Sequence, residues 1–511
     1  MASTRSKRLR FNTVSSLLFQ ITTIVCGFIL PRLILNSFGS LVNGLVNSIS
    51  QYLHIITFLE LGVGAVVQSS LYKPLADKDR IQTSKIIRSA GKFFAKIAII
   101  LLVYIVILIL FYPIIVNKDF DHLYTATLIL AMSISSFAQY YFGVVDRLLL
   151  SADQRGYIQY TAQTITLILN TIACAILIYF GASIHLVKLT TSIVFLIRPF
   201  FLRVYVNKCY QLDRKIKYTG EPIKQKWNGI AQHVAAVVLD QTDIIVLTTF
   251  STLTNVSIYS VYHLVIYGVK NLFLSLTNGF QSLMGEMLAK NETKELKAFF
   301  SWTEWILHTG TTFVFGCTAI LVLPFVSVYT SGITDANYIV PEFAVLITIA
   351  HAAHCLRLPY NILILAAGHY KQTQWNYIFA ATLNIVISVL AVHSWGLVGV
   401  AIGTLCAMLF QTVWMAIYDS KHILCYSMKD FVKHIVVDLI TVTIAAILTF
   451  RIPLMSVSYL GWFVLAIIVA LIWAFVIFVV NYFVYKDYVV QCMKKLKKRL
   501  FTIKSKNAGN M

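Results

Sequence analysis

A chain of 511 residues that is 58% hydrophobic and only 12% charged, with a mean hydropathy of +0.76, fits no soluble globular class. Its 42 Lys and Arg against 21 Asp and Glu give a formal net charge of +21. The basic residues fall between apolar segments on alternate loops, which is the pattern of membrane topology and argues against a nucleic-acid partner.

The N-terminal MASTRSKRLR leads into a long apolar segment with no small-residue cleavage site. It reads as a retained first helix with its basic end in the cytoplasm. From there, apolar windows predict an all-α polytopic membrane protein of about fourteen transmembrane helices. The spans are expected to begin near residues 11, 42, 94, 122, 157, 183, 228, 256, 300, 338, 374, 396, 432 and 460. The segments 42–70 and 256–288 carry many polar residues and are expected to face a polar interior rather than lipid.

Lys and Arg set the orientation. Loops 71–92 and 203–226, the turn around Lys290–Lys297, Lys421–Lys433 and the tail 486–506 are basic, whereas the intervening loops are short, with Lys118 and Arg451 as exceptions. Every second loop obeys the positive-inside rule if both termini are cytoplasmic. Polar interruptions at 71–92 and 207–226 divide the chain further. The expected organisation is two pseudo-symmetric six-helix lobes, residues 1–206 and 227–428, joined by a cytoplasmic linker at 207–226. Residues 429–511 supply two extra helices and a basic tail that anionic lipid would hold near the membrane.

Charges inside the spans are the candidate functional residues. Asp240 and Asp243 lie three residues apart in AQHVAAVVLDQTDIIVLTTF, on roughly one helical face. A carboxylate at mid-bilayer costs roughly 2.5–3.5 kcal/mol on insertion scales. The pair therefore either locks its helix to a neighbouring base or lines a wet, charged cavity. Glu60 and His54 sit in the second span, Lys188 and Arg198 in the sixth, and His263 and Lys270 in the eighth. His351, His354 and Arg357 recur along one side of the tenth, while Arg32 can snorkel from the outer end of the first. Arg203 and Asp146 read as ordinary interface residues. Cations outnumber anions at depth, which points to an aqueous cavity or an anionic ligand; Arg and Lys together suit a phosphate. Pro31, Pro199 and Pro359 stand beside three of the arginines, where a broken helix can line a cavity.

No nucleotide-binding loop, nucleophile elbow or zinc-protease motif is present, and no loop is long enough for a catalytic domain. The eight cysteines have no metal or disulfide spacing. An enzyme, a metal site and a cofactor are not expected.

Several stretches resemble one family. NTVSSLLFQITTIVCGFILPRLILNSFGSLVNGLVNSISQYL, FLELGVGAVVQSSLYKPLADKD and LDQTDIIVLTTF…NVSIYSVYHLVI are similar to the Wzx-type O-antigen and capsule polysaccharide flippases. These belong to the multidrug/oligosaccharidyl-lipid/polysaccharide exporter superfamily. The most specific pieces are Glu60–Gly62, Tyr72–Leu75, the TDIIVL after Asp240, and Ile258–Tyr262; the final third matches in hydropathy only. The resemblance implies two six-helix lobes around a cationic cavity in a bacterial cytoplasmic membrane. It implies export of undecaprenyl-diphosphate-linked oligosaccharide units, driven by a proton or sodium gradient. A polysaccharide polymerase and glycosyltransferases would be its pathway partners.

On this reading Arg198, Lys270 and Arg357, with Lys188 and Arg32, contact the diphosphate. Asp240, Asp243, Glu60, His351 and His354 serve gating or ion coupling. A lipid II flippase and a multidrug cation antiporter are the alternatives within the superfamily. The cation excess speaks against the antiporter, and the short outer loops speak against a polysaccharide polymerase.

Overall fold

A computed structural model describes the chain except for residues 1, 56, 117, 224–229, 278–279, 426, 451, 453–457 and 495–511. Within helices it leaves undescribed the side chains of 2–10, 57–62, 65, 76, 230–237, 240, 276, 282, 289 and 450. Long apolar runs become long helices because lipid leaves the backbone no hydrogen-bond partner but itself.

Taking positive-φ Gly39 (φ 79°) and Gly396 (φ 51°) as helix ends, and joining pieces across short breaks, gives fourteen helical spans among the described residues. Span 1 is 2–38, and span 2 is 40–54 continued by Thr57–Ala76. Span 3 is Arg80–Ile115. Span 4 joins His122–Ala138 to Val144–Ala152 through a π-helical turn, Gln139–Gly143. Spans 5, 6 and 7 are Gly156–Tyr179, Ile184–Tyr210 and Ile230–Phe250. Span 8 is Leu253–Leu276, followed by Phe280–Ala289, and span 9 is Thr293–Tyr329. Span 10 joins Pro341–Leu356 to Leu358–Ala366. Spans 11 and 12 are 370–395 and 397–422, and spans 13 and 14 are Lys429–Phe450 and Tyr459–Val484.

The expected all-helical polytopic class holds. The main departure is segment 71–92, expected to be a loop. Span 2 continues to Ala76, and span 3 starts at Arg80, where the Asp79 carboxylate caps the Gln82 amide at 2.9 Å. Hydropathy marks only the lipid-facing part of a helix. A polar N-terminal extension with its own cap is invisible to it. Large apolar side chains on span 3 (Ile99, Leu110, Phe111) and span 14 (Phe463, Leu471, Phe475) are exposed, which is unfavourable against water and favourable against acyl chains.

The chain clusters into two compact units. Unit 1 holds residues 1–264, 332–337 and 377–400, so span 7 and the start of span 8 belong to it. Within it span 1 packs along span 5, and span 6 packs against spans 4 and 5. A Cβ on Gly44 would lie 1.9 Å from the Leu253 carbonyl oxygen, so only glycine lets span 2 approach the start of span 8 this closely. Asp335 caps the first turn of span 2, accepting from the Ser40 amide and hydroxyl, each at 2.7 Å. Ser40, Asn43 and Ser48 of span 2 are buried. Asn43 donates to Ser257 at 2.7 Å, and Ser48 pairs with Thr248 at 2.6 Å.

The segment 211–223 is fastened to unit 1. Arg88 donates to the Lys215 and Ile216 carbonyls, and Ser89 donates to Glu221 at 2.5 Å. Unit 2 holds residues 265–331, 338–376 and 401–511. Within it Trp473 of span 14 fills the gap beside Gly316 of span 9, and the Trp305 indole donates to Asn481 at 2.7 Å.

Candidate functional site

Unit 2 brings together four of the residues singled out by sequence. Span 10 breaks at Arg357, whose amide donates to Ala353 of the helix before at 3.1 Å and whose carbonyl accepts from Asn361 of the helix after at 3.1 Å. Arg357 Nη2 lies 3.0 Å from His354 Nδ1. Lys270, on span 8, stacks its ammonium 4.5 Å from the Tyr267 ring and also acts electrostatically on His354, as does His351. Lys270 is 3% exposed and Arg357 5% exposed. Two buried cations thus bear on one imidazole within unit 2.

Unit 1 holds Asp243, 4% exposed. Its carboxylate accepts from the Tyr259 hydroxyl at 2.9 Å and the Asn384 amide at 3.4 Å. Ser388 donates to the Asn384 side-chain oxygen at 2.9 Å, and the Tyr259 ring stacks on His263 at 5.4 Å. Spans 7, 8 and 11 therefore meet at an oxygen-rich point built around one carboxylate. The side chains of Asp240 and Glu60 lie outside the described residues.

The remaining candidates belong to other surroundings in unit 1. Arg198 donates to Thr166 at 2.6 Å and stacks over Phe195 at 3.8 Å. It stands on an apolar cavity of about 360 Å³ lined by Tyr157, Ile165, Phe201 and Tyr205 among others. Lys188 is half-buried near Cys174, Arg32 is half-buried in span 1, and His54 is exposed at the end of its helix.

Asp146, which read as an interface residue, is fully buried. It pairs with Arg214 at 2.6 Å and Arg203 at 3.7 Å. The sequence conceals this because Arg214 lies on the segment after span 6, 68 residues away.

A second group in unit 2 escapes sequence reading altogether. Glu304 and His308 of span 9, Tyr360 of span 10, His434 and Asp438 of span 13, and Tyr485 after span 14 form one network, and the buried Asp419 of span 12 feels it electrostatically through Glu304. Tyr360 donates to Glu304 at 2.6 Å and lies 3.5 Å from His308 Nε2. His308 Nδ1 is 2.6 Å from Asp438, which also accepts from Thr312 at 2.8 Å. His434 stacks on His308 at 4.9 Å, approaches Glu304 at 3.9 Å, and pairs with the Tyr485 hydroxyl at 2.8 Å. The available signal was an acid and a histidine four residues apart in each of spans 9 and 13, Glu304 with His308 and His434 with Asp438.

No family model matches the chain, and no curated protein matches it. Among solved structures it is similar to the lipid II flippase MurJ in an inward closed conformation. The identity is 14% and the TM-score 0.69, over 93% of this chain and 100% of that one. It is also similar to an inward-facing multidrug resistance MATE family transporter of the MOP superfamily, at 14% identity and TM-score 0.57 over 78% and 95% of the two chains. The eukaryotic MATE transporter AtDTX14 gives 9% identity and TM-score 0.57 over 81% and 94%. At these identities the likeness is one of fold alone.

Proposed function

We propose that this chain is a flippase that carries polyprenyl-diphosphate-linked oligosaccharide units from the inner to the outer leaflet of a bacterial cytoplasmic membrane. The observation that carries the reading is the pair of buried cations, Lys270 and Arg357, in a chain whose fold follows a lipid II flippase over 93% of its length. A diphosphate offers two or three anionic charges and many acceptor oxygens. An ammonium and a guanidinium hold such a group by charge-assisted hydrogen bonds. Alternating access then presents the bound headgroup to each leaflet in turn. Asp243, with the Tyr259 hydroxyl and the Asn384 amide beside it, is our candidate carboxylate for a coupling proton or sodium ion. Arg198, Lys188 and Arg32 remain candidate contacts along the headgroup's route, and His351 and His354 candidate gating groups.

The test is delivery of surface glycan by cells whose only such exporter is this chain, compared with the Lys270→Ala and Arg357→Ala variants at equal membrane abundance. Full delivery by both variants overturns the site. The second reading, a lipid II flippase, is favoured by the TM-score of 0.69 to MurJ. It predicts that the chain restores growth to cells depleted of their own lipid II flippase, which a polysaccharide exporter does not.

The orientation we propose puts both termini and segments 71–92 and 207–226 in the cytoplasm, from the alternation of basic and neutral loops. In a background without native cysteines, Lys217→Cys should resist an impermeant thiol reagent added to intact cells, and Asp119→Cys should react. Labelling of Lys217→Cys from outside overturns the orientation.

A further inference from the structure

The buried network of unit 2 has an imbalance that its geometry does not resolve. Glu304 is 1% exposed and Asp419 0%, and the Asp438 side chain is 15% exposed. The groups in contact with Glu304 and Asp438 are His308, His434 and the hydroxyls of Tyr360 and Thr312, with Tyr485 behind His434. Lys433 lies over the outer face of the Tyr485 ring at 4.6 Å. Asp430 and Tyr488 face the same region from span 13 and the segment after span 14. Asp419 is the extreme member. Both of its carboxylate oxygens are buried and without a hydrogen-bond partner among the described residues, and the Glu304 carboxylate acts on it across the network.

A carboxylate buried beside another carboxylate, with no donor of its own, is very unfavourable. The same group as a neutral carboxyl is tolerated. The remaining contacts form a chain along which a proton can move. Asp438 holds His308 Nδ1, His308 Nε2 faces the Tyr360 hydroxyl, and that hydroxyl donates to Glu304.

We infer that spans 9, 10, 12 and 13 build a proton-binding site, in which Asp419 and Glu304 hold a proton at neutral pH and the Tyr360–His308–Asp438 chain exchanges it. The step is simple and balanced: a carboxylate takes up one proton from water and becomes a carboxyl, and no redox partner is needed. Asp419 lies one turn before the helix ends at His422, on the side that the basic segment Lys421–Lys433 assigns to the cytoplasm. The site is separate from Asp243, which belongs to unit 1. It does not depend on the identity of the transported substrate.

The test is infrared difference spectroscopy of the full-length protein in lipid bilayers during a pH step, reading the C=O stretch of protonated carboxyls. The wild type should show a protonated-carboxyl band at neutral pH that disappears as pH is raised, with matching proton release to a dye in weakly buffered solution. Asp419→Asn should remove that band or the larger part of it, and Glu304→Gln should shift what is left. A wild type without such a band at neutral pH overturns the inference before any variant is made, so misfolding of a variant cannot shelter it. A band that survives in the Asp419→Asn, Glu304→Gln double variant belongs to another carboxyl and overturns it equally. The transport reading fails differently: the band would be present and titrate while no lipid-linked glycan is moved.

Discussion

Two regions of this molecule bury carboxylates, and they neutralise them by opposite means. In unit 1, Asp146 is fully enclosed and meets two guanidiniums, Arg214 at 2.6 Å and Arg203 at 3.7 Å. Arginine keeps its charge at every physiological pH, so this pair is fixed. It ties the segment after span 6 to the end of span 4. In unit 2, Glu304 and Asp438 meet imidazoles and hydroxyls, and Asp419 has no hydrogen-bond donor among the described residues. An acid paired with arginine fastens helices together. An acid that shares its protons with histidine and tyrosine can change state. The buried bases follow a third pattern: Lys270 and Arg357 crowd around His354.

The largest effect should come from breaking the fixed pair. Replacing both Arg203 and Arg214 by Ala leaves the Asp146 carboxylate buried without its guanidiniums, a loss of about 3–5 kcal/mol. The unfolding midpoint in sodium dodecyl sulfate titration should fall steeply, and adding Asp146→Asn should recover much of it. An unchanged midpoint in the double-arginine variant would mean that the pair locks nothing.

The cation cluster should respond in function more than in stability. Lys270→Ala or Arg357→Ala removes a charge-assisted bond worth about 1.5–3 kcal/mol, a 10- to 100-fold loss of substrate binding. Glycan delivery normalised to folded protein in the membrane is the measurement. If the same variants instead lower abundance as the Asp146 pair does, these cations are structural, and the contrast between the regions collapses.

The smallest effect probes the edge of the proton network. Tyr485→Phe removes only the hydroxyl contact to His434, a neutral bond worth about 0.5–1.5 kcal/mol. Its unfolding midpoint should shift slightly, far less than that of the double-arginine variant. A shift as large would show that Tyr485 answers a charge rather than a neutral imidazole.

Much of this protein is legible without coordinates. Each expected span has its counterpart helix, and most starts fall within a few residues of expectation. The exceptions, spans 1, 3 and 9, begin earlier because their polar first turns extend beyond the apolar stretch. The polar burial in span 2 was readable from Asn43 and Ser48, and the depth of Lys270 and Arg357 from their positions within apolar runs. Which buried charge meets which was not readable. Asp438 and His308 are 130 residues apart, Asp146 and Arg214 68, and Asn384 and Asp243 141. Whether a stretch becomes a membrane helix depends on its own twenty or so residues and the lipid around them, so the sequence determines it locally. The partner of a buried charge depends on how helices distant in the chain pack together. Only that packing made Asp146 a rivet and Asp419 a carboxyl with nowhere to place its charge.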